Sequence, residues 1–182
     1  MRTPLLALLL TPLLLTQGCA SPPPPNNALQ RVLNTVEHRL DFAEAVALSK
    51  WDSGQPVQAI EREQQVIAGA QAQAARFGID GQRAAAVFAD QIEANKLLQY
   101  SALSRWHATG QAPVTPRIDL AKQLRPQLDR LQRTLLSDLA EFDRNRPESC
   151  PSALAQAIEQ RETSPQQTLA LIRATAHLCS PQ

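Results

Sequence analysis

The pattern of apolar and polar positions between residues 29 and 50 predicts a helix whose apolar face carries two cations. Arg39 and Lys50 lie on this face, about three turns or roughly 16 Å apart along the helix axis. A charged group on an apolar face is costly unless a counter-charge meets it inside the protein. We therefore expect a small dianion to lie between the two. The face consists of positions spaced by three or four residues: Leu29, Val32, Val36, Arg39, Ala43, Val46 and Lys50.

Caps, glycines and prolines divide the rest of the chain into further helices. Thr115 should cap the fourth of them, and Pro126 should kink that helix or mark its true start. Ser164 and Gln167 have the signature of a capping box. The pattern predicts an all-α bundle of about six helices, the last two of them short, at about residues 27–51, 56–77, 81–108, 116–144, 152–161 and 165–178.

The other three long helices also carry polar groups on their inward faces. Asn95 and Gln99 lie on the axis of the third helix's apolar stripe. In the second helix, Glu63 lies near the middle of the apolar face and Arg62 lies at its edge, while Arg125 flanks the stripe of the fourth. Singly, such residues have ordinary explanations, since a long cation reaches out to solvent and an amide satisfies a neighbouring helix. Together they predict four long helices enclosing an excess of positive charge, which favours an anionic ligand.

The first 20 residues have the pattern of a signal peptide. Arg2 precedes an apolar run at residues 5–15 that is too short to span a bilayer, and small residues follow it. Two processing routes stay open. Cleavage after Ala20 would release the protein, whereas the residues around Cys19 resemble a lipoprotein box, in which Cys19 would carry a lipid anchor.

A proline-rich spacer at residues 21–28 separates this leader from a helical domain expected at residues 29–182. No later apolar run is long enough to span a membrane. Lysine and arginine number 18 against 17 acidic residues, and the cation Arg2 lies in the leader, so the exported chain would be neutral. A neutral chain argues against nucleic acid or anionic lipid as the main partner.

The cysteine count agrees with export to an oxidising compartment. Removal or lipidation of Cys19 leaves Cys150 and Cys179 as an even pair, which predicts a disulfide, with two free thiols as the alternative. The bridge would link the two short C-terminal helices. A metal site is not expected, because the histidines are isolated and lack ligand spacing: His38, His107 and His177.

With these residues in view, the sequence resembles the all-helical chorismate mutases, and specifically their exported, disulfide-containing subclass. The resemblance covers about residues 30–180. It rests on RLDFAEAVALSKW, REQQVI, FADQIEANKLLQYSALSRW and LRPQLDRL, on the cysteine pair, and on the spacings between the polar residues of the first three helices. One departure is Ala59, where the family often has an acid, so recognition of the substrate hydroxyl would fall mostly to Glu63.

The resemblance implies an isomerase of aromatic amino acid biosynthesis, which converts chorismate to prephenate by an intramolecular Claisen rearrangement. The reaction needs no cofactor, metal or covalent intermediate. In such an enzyme Arg39, Arg62 and Arg125 would hold the two substrate carboxylates, with Asn95 assisting. Guanidinium groups suit this task because they bond carboxylates in a bidentate manner.

The remaining roles implied by the resemblance concern the breaking bond and the ring. Lys50 and Gln99 would donate to the ether oxygen, which gains negative charge as the C–O bond breaks, and Glu63 would accept from the ring hydroxyl. The exported subclass also implies a periplasmic or secreted homodimer with a complete site in each subunit. All the groups named come from one chain, which agrees with such a site.

Two other functions stay open on the sequence. One is a non-catalytic helical envelope lipoprotein or adaptor, whose inward polar residues fix helix register or bind a small anion. The other is a chorismate mutase relative that has kept the pocket and lost the activity. Turnover of chorismate separates both from the enzyme.

Overall fold

The computed structural model describes residues 27–180, and in this range the chain is helical and without strands. The predicted all-α fold is confirmed. Gly54 and Gly110 end their helices in the left-handed conformation that glycine adopts at least cost, with φ of 66° and 72°. The seven α-helices between residues 27 and 180 are α1 (Asn27–Leu40), α2 (Ala43–Ser53), α3 (Ile60–Ala74), α4 (Gly81–Thr109), α5 (Arg125–Arg144), α6 (Cys150–Glu159) and α7 (Pro165–Ala174).

The first long helix of the prediction is two helices, which corrects the continuous helix expected from its stripe. A two-residue turn at Asp41 and Phe42 separates α1 from α2. In a continuous helix the carbonyl of Arg39 would accept from the amide of residue 43. Here that carbonyl accepts a 3.4 Å hydrogen bond from the side chain of Asn95 on α4. A tertiary contact thus accompanies a break that no local signal announces.

Two predicted helix starts are also wrong. Pro56 does not begin α3, which starts at Ile60, because residues 55–59 form an irregular segment that buries Val57. Thr115 does not begin the fourth helix. The side chain of Asp119 instead caps a single wide π-helical turn, Leu120–Leu124, and Pro126 lies in the first turn of α5. Pro126 therefore marks the true start of that α-helix, one of the two roles expected for it.

Helix α4 is the centre of the bundle. Helices α2, α3 and α7 pack along it, and α1 packs against α5 and joins this core. Most of the largest fully buried side chains come from α1, α4 and α5, among them Leu33, Phe88, Leu135 and Phe142. Burial of each such side chain contributes about 1.5–3 kcal/mol. This packing holds four helical rods in place, namely α1 together with α2, α3, α4 and α5. Their inward polar residues are the ones that concern function.

A disulfide closes the C-terminal segment on itself, and a buried arginine of α4 ties the end of the segment to the bundle. Cys150 and Cys179 are bonded, with their Cα atoms 5.7 Å apart, which confirms the predicted bridge. Arg83 forms two 2.6 Å hydrogen bonds to the carboxylate of Asp143 and donates to the carbonyl of Leu178 at 2.9 Å. The end of this segment is thereby held against α4 and α5. None of these residues lines the cavity described in the next subsection.

The expected signal peptide, Cys19 and the proline-rich residues before Asn27 lie outside the described residues. So does the end of the chain after residue 180. No helix between residues 27 and 180 is both long and apolar enough to cross a bilayer.

Candidate active site

One cavity of about 340 Å³ lies between the four rods of the bundle. Helices α1 and α2 together, α3, α4 and α5 each contribute to its walls, and residues 55–59 and the wide turn before α5 complete them. The structure brings all seven residues singled out in the sequence to this cavity: Arg39, Lys50, Arg62, Glu63, Asn95, Gln99 and Arg125.

Arg39 is the most enclosed cation of the cavity. Its exposed fraction is 8%, its Nη1 donates to the carbonyl of Leu128 at 3.2 Å, and its guanidinium lies 5.2 Å from the ring centre of Phe88. Burial lowers the pKa of Arg39 to about 10, and the nearby charge of Asp129 opposes this effect. The Nε of Arg39 is buried without a hydrogen-bond partner among residues 27–180. A buried donor left in this state is suited to an anionic acceptor.

Lys50 reaches the same cavity from the last turn of α2. The side chain is half-buried and donates to the carbonyl of Val57, within the irregular segment that precedes α3. Burial lowers the pKa of Lys50, the charge of Glu63 raises it, and the charge of Lys96 lowers it. Within the described chain, no carboxylate oxygen lies within 4.0 Å of this ammonium. Lys50 is thus a charge held by a neutral carbonyl, which a ligand oxygen can replace.

Asn95 and Gln99 form a linked pair of amides on α4. Gln99 is 5% exposed and donates from Nε2 to Oδ1 of Asn95 at 2.7 Å, and Asn95 donates to the carbonyl of Arg39. One hydrogen of the Gln99 amide is therefore used within the protein. The amide has a second hydrogen to donate, and Oε1 of Gln99 is buried without a partner in the described part of the chain.

Of the other three residues, Arg62 and Arg125 form the more exposed side of the site, and Glu63 is largely shielded from water. Glu63 accepts from the backbone amide of Ala59 at 2.9 Å, so it also caps the start of α3. Arg62 is paired with Asp129 at 3.6 Å, with 38% of its side chain exposed. Arg125 is exposed at the first residue of α5 and lines the cavity. A ligand would contact the two arginines on the exposed side of the cavity.

Sequence reasoning missed seven polar residues of the cavity wall: Ser49, Gln55, Gln58, Gln91, Lys96, Asp129 and Gln132. Gln132 could have been found, because it follows Leu128 by four residues and precedes Leu135 by three, which puts it on the apolar stripe of α5. Lys96 lies off the stripe of α4 and three residues after Glu93, a spacing typical of a surface ion pair. Its side chain is nevertheless only 13% exposed.

The cavity wall carries five cationic and two acidic side chains, so positive charge predominates. The acids are Glu63 and Asp129, and the cations are Arg39, Lys50, Lys96, Arg62 and Arg125. Excess charge that is partly removed from water favours a ligand of opposite sign. Fold and site together define an all-helical bundle whose central pocket suits a small dianion.

Comparison with known proteins gives the family. Residues 30–100 match the family model of chorismate mutase type II. A secreted chorismate mutase of Mycolicibacterium smegmatis is 32% identical over 109 residues, a stretch that spans 60% of this chain and 60% of the relative. The match to the family model includes every site residue except Arg125.

Solved structures agree over most of the chain. A chorismate mutase from Burkholderia phymatum is 39% identical, with a TM-score of 0.81, and the match covers 85% of this chain and 98% of that one. One from Burkholderia thailandensis is 35% identical, with a TM-score of 0.79 and coverage of 85% and 100%. A secreted chorismate mutase from Yersinia pestis, 21% identical with a TM-score of 0.66, shares the fold over 80% and 95%. The chain belongs to the chorismate mutase family.

Proposed function

We propose that this protein is a chorismate mutase, which converts chorismate to prephenate by an intramolecular Claisen rearrangement. The observation that carries the proposal is a cavity of about 340 Å³ in which five cations from helices α1 to α5 meet the amides of Asn95 and Gln99. Chorismate is a compact dianion with an ether oxygen and a hydroxyl, and each of these groups finds a complementary side chain in the cavity.

The carboxylates of the substrate are assigned to the three arginines, Arg39, Arg62 and Arg125, with Asn95 assisting. Support for Arg39 comes from its burial and its unpartnered Nε. Support for Arg62 comes from its pairing with Asp129, since a group that holds a protein carboxylate has the geometry to hold a substrate carboxylate. Fixing both carboxylates would select the folded conformer in which the reacting carbon atoms are close.

The ether oxygen is assigned to Lys50 and Gln99, and the ring hydroxyl to Glu63. The rearrangement transfers no proton, so the catalyst acts through positioning and through charge aimed at the oxygen that becomes negative. The Lys50 ammonium supplies a positive charge and Gln99 a neutral donor. Both groups lie in a part of the cavity wall that is partly shielded from water, where such electrostatic interactions are stronger than in water.

The direct test is to mix purified protein from residue 21 onward with chorismate and follow its disappearance together with the formation of prephenate. We expect turnover in the absence of added metal or cofactor. Binding of chorismate without turnover would contradict the proposal and favour an anion-binding adaptor. The matched control is the same preparation after heat unfolding, which should show only the slow uncatalysed reaction.

Export of the protein is also proposed, to the periplasm or the medium, because two of the similar proteins are named as secreted and the leader has the pattern of a signal peptide. The intact mass of the exported protein decides how the leader is processed. A chain beginning at Ser21 fits cleavage after Ala20, whereas a diacylglycerol on Cys19 fits a lipid anchor.

A homodimer is the assembly we propose. Large apolar side chains are exposed one turn apart on two helices that pack together, Leu97 and Tyr100 on α4 and Leu169 and Ile172 on α7. Such side chains are more typical of a subunit contact than of a free surface. Light scattering should give twice the mass of one chain, and Tyr100→Glu should shift it towards the monomer.

A further inference from the structure

The carboxylate of Glu63 interacts with two ammonium groups of the cavity, and only one of them is paired with it. The Nζ of Lys96 lies 3.2 Å from Oε2 of Glu63. The other oxygen, Oε1, accepts from the backbone amide of Ala59 at 2.9 Å. Glu63 is 20% exposed at its side chain and Lys96 13%, so both partners are largely removed from water. The two oxygens of Glu63 are therefore engaged from the side of α3 and α4.

Lys50 is the second ammonium, and it is not paired with this acid. Its Nζ donates to the carbonyl of Val57 instead. The charge of Glu63 acts on Lys50 all the same, since Glu63 raises the pKa of Lys50 and Lys96 lowers it. Two lysines thus compete for one carboxylate, and Lys96 is favoured because Glu93 on its own helix holds it in place at 2.6 Å.

The outcome of this competition matters for the proposed reaction. An ammonium paired with a carboxylate presents less positive charge to a substrate oxygen, and it must leave its partner before it can donate to another acceptor. A neutral carbonyl such as that of Val57 is a weaker partner and is more easily exchanged. Lys50 in its observed state is therefore better prepared to donate than an ion-paired Lys50 would be.

We propose that Lys96 is a positioning residue, which occupies the carboxylate of Glu63 and so reserves the Lys50 ammonium for the ether oxygen of the substrate. This role rests on the proposed chorismate mutase activity and deepens it. Lys96 acts through Glu63 and Lys50, without a contact to the reacting atoms.

The first test is the titration of Lys50, which needs no activity. The chain contains three lysines, Lys50, Lys96 and Lys122, so the side-chain carbon signals of a protein labelled at lysine are few and are assigned by substitution. Glu63→Gln should lower the pKa of Lys50 by less than about 0.3 in the presence of Lys96 and by about 1 in the Lys96→Met background, where Glu63 is free to pair with Lys50.

Several charged groups besides Glu63 and Lys96 share the cavity with Lys50, and they are constant across this cycle: Arg39 from α1, Arg62 from α3, and Arg125 and Asp129 from α5. If Lys96 acted on Lys50 through its charge alone, Lys96→Met would raise the pKa of Lys50 by the same amount in the wild type and in Glu63→Gln. The effects of the two substitutions on the pKa of Lys50 are non-additive only if Glu63 pairs with Lys50 once Lys96 has been removed. Additive shifts would therefore overturn the proposal.

The second test is kinetic. We expect Lys96→Met to lower kcat about tenfold with less than a threefold change in KM, and Lys96→Arg to restore it. Glu63→Gln should slow the wild-type enzyme but speed the Lys96→Met variant, because it removes the acid that competes for Lys50. A double variant slower than Lys96→Met would overturn the proposal, as would an unchanged kcat in Lys96→Met.

Two controls keep these results interpretable. Lys122→Met removes an exposed lysine that does not line the cavity and should leave the kinetics unchanged. If Lys96→Met does not fold by circular dichroism, Lys96→Gln carries the same expectations. A wild-type protein that does not convert chorismate would refute the proposed function, whereas the titration of Lys50 would still decide the role of Lys96.

Discussion

Gln99 donates from its side-chain amide to Oδ1 of Asn95, one turn earlier on α4, at 2.7 Å. Asn95 in turn donates to the carbonyl of Arg39 at the break between α1 and α2. This chain of bonds engages one hydrogen of the Gln99 amide, and the amide has a second hydrogen to donate. It also makes the identity of residue 99 testable, because an amide donates at any pH and a carboxyl group does not.

Gln99→Glu should make the activity dependent on pH. A glutamate at this position donates only while it is protonated, so its rate should be highest below the pKa of that group and should fall as the pH rises through it. We expect a loss of kcat of about 10²-fold at pH 8, where one donor to the developing charge is missing. Rates measured from pH 4.5 to pH 8.5 check this, and a variant with the wild-type rate at pH 8 would contradict it.

Arg39→Met should separate stability from function. Burial lowers the pKa of Arg39 to about 10, so the unfolded chain binds this proton more tightly than the folded one. Protonated Arg39 therefore costs stability below that pH, and the cost falls as the pH rises through about 10. At neutral pH we expect the free energy of unfolding to be unchanged within about 1 kcal/mol or to increase.

The same variant should bind the substrate and its transition state more weakly, because an arginine–carboxylate pair is charge-assisted and bidentate. We expect kcat/KM to fall by more than about 10²-fold. Urea unfolding and steady-state kinetics on one preparation provide the two readouts. A variant that is clearly destabilised but still active would show that Arg39 serves the fold instead.

Asp129→Asn should strengthen substrate binding. Asp129 is paired with Arg62 at 3.6 Å and is more exposed than its partner, so it competes with a substrate carboxylate for that guanidinium. Exposed pairs are worth up to about 1 kcal/mol, which corresponds to a fall in KM of up to about fivefold. Glu61→Gln, an exposed acid on α3 outside the cavity wall, is the matched control. A rise in KM would mean that Asp129 holds Arg62 in place for the substrate.

Loss of the disulfide should lower stability and leave catalysis intact. Cys150 and Cys179 are 29 positions apart in the sequence and neither lines the cavity. A bridge over a loop of this length contributes about 3–4 kcal/mol in the chain-entropy model, so the double variant to alanine should melt about 10 °C lower. Its kcat at 25 °C should match that of the oxidised protein. An unchanged melting temperature would contradict this account.

The sequence predicted which faces of the helices meet, and it did not predict where the helices break. Spacing at three and four residues brought out Arg39, Lys50, Asn95 and Gln99 because each interrupts an apolar stripe that has to be buried. The turn after Leu40 has no glycine or proline to announce it, and it coincides with a bond from a residue more than fifty positions away.

Lys96 shows the other limit of sequence reasoning. Its spacing from Glu93 is that of an ordinary surface pair, and nothing local relates it to Glu63 on another helix. Only the packing of α3 along α4 brings that carboxylate within 3.2 Å of the ammonium. Charge networks between helices depend on tertiary structure in this way, whereas stripes depend on local periodicity.

The most direct measurement is the rate of prephenate formation by the wild type and by Lys50→Ala, with circular dichroism recorded on both. We predict that the wild type turns over chorismate and that the variant loses about 10²–10³-fold in kcat, while its helical spectrum is unchanged. A folded Lys50→Ala protein with wild-type turnover would contradict the assignment of the cation-rich cavity as a catalyst that acts by charge.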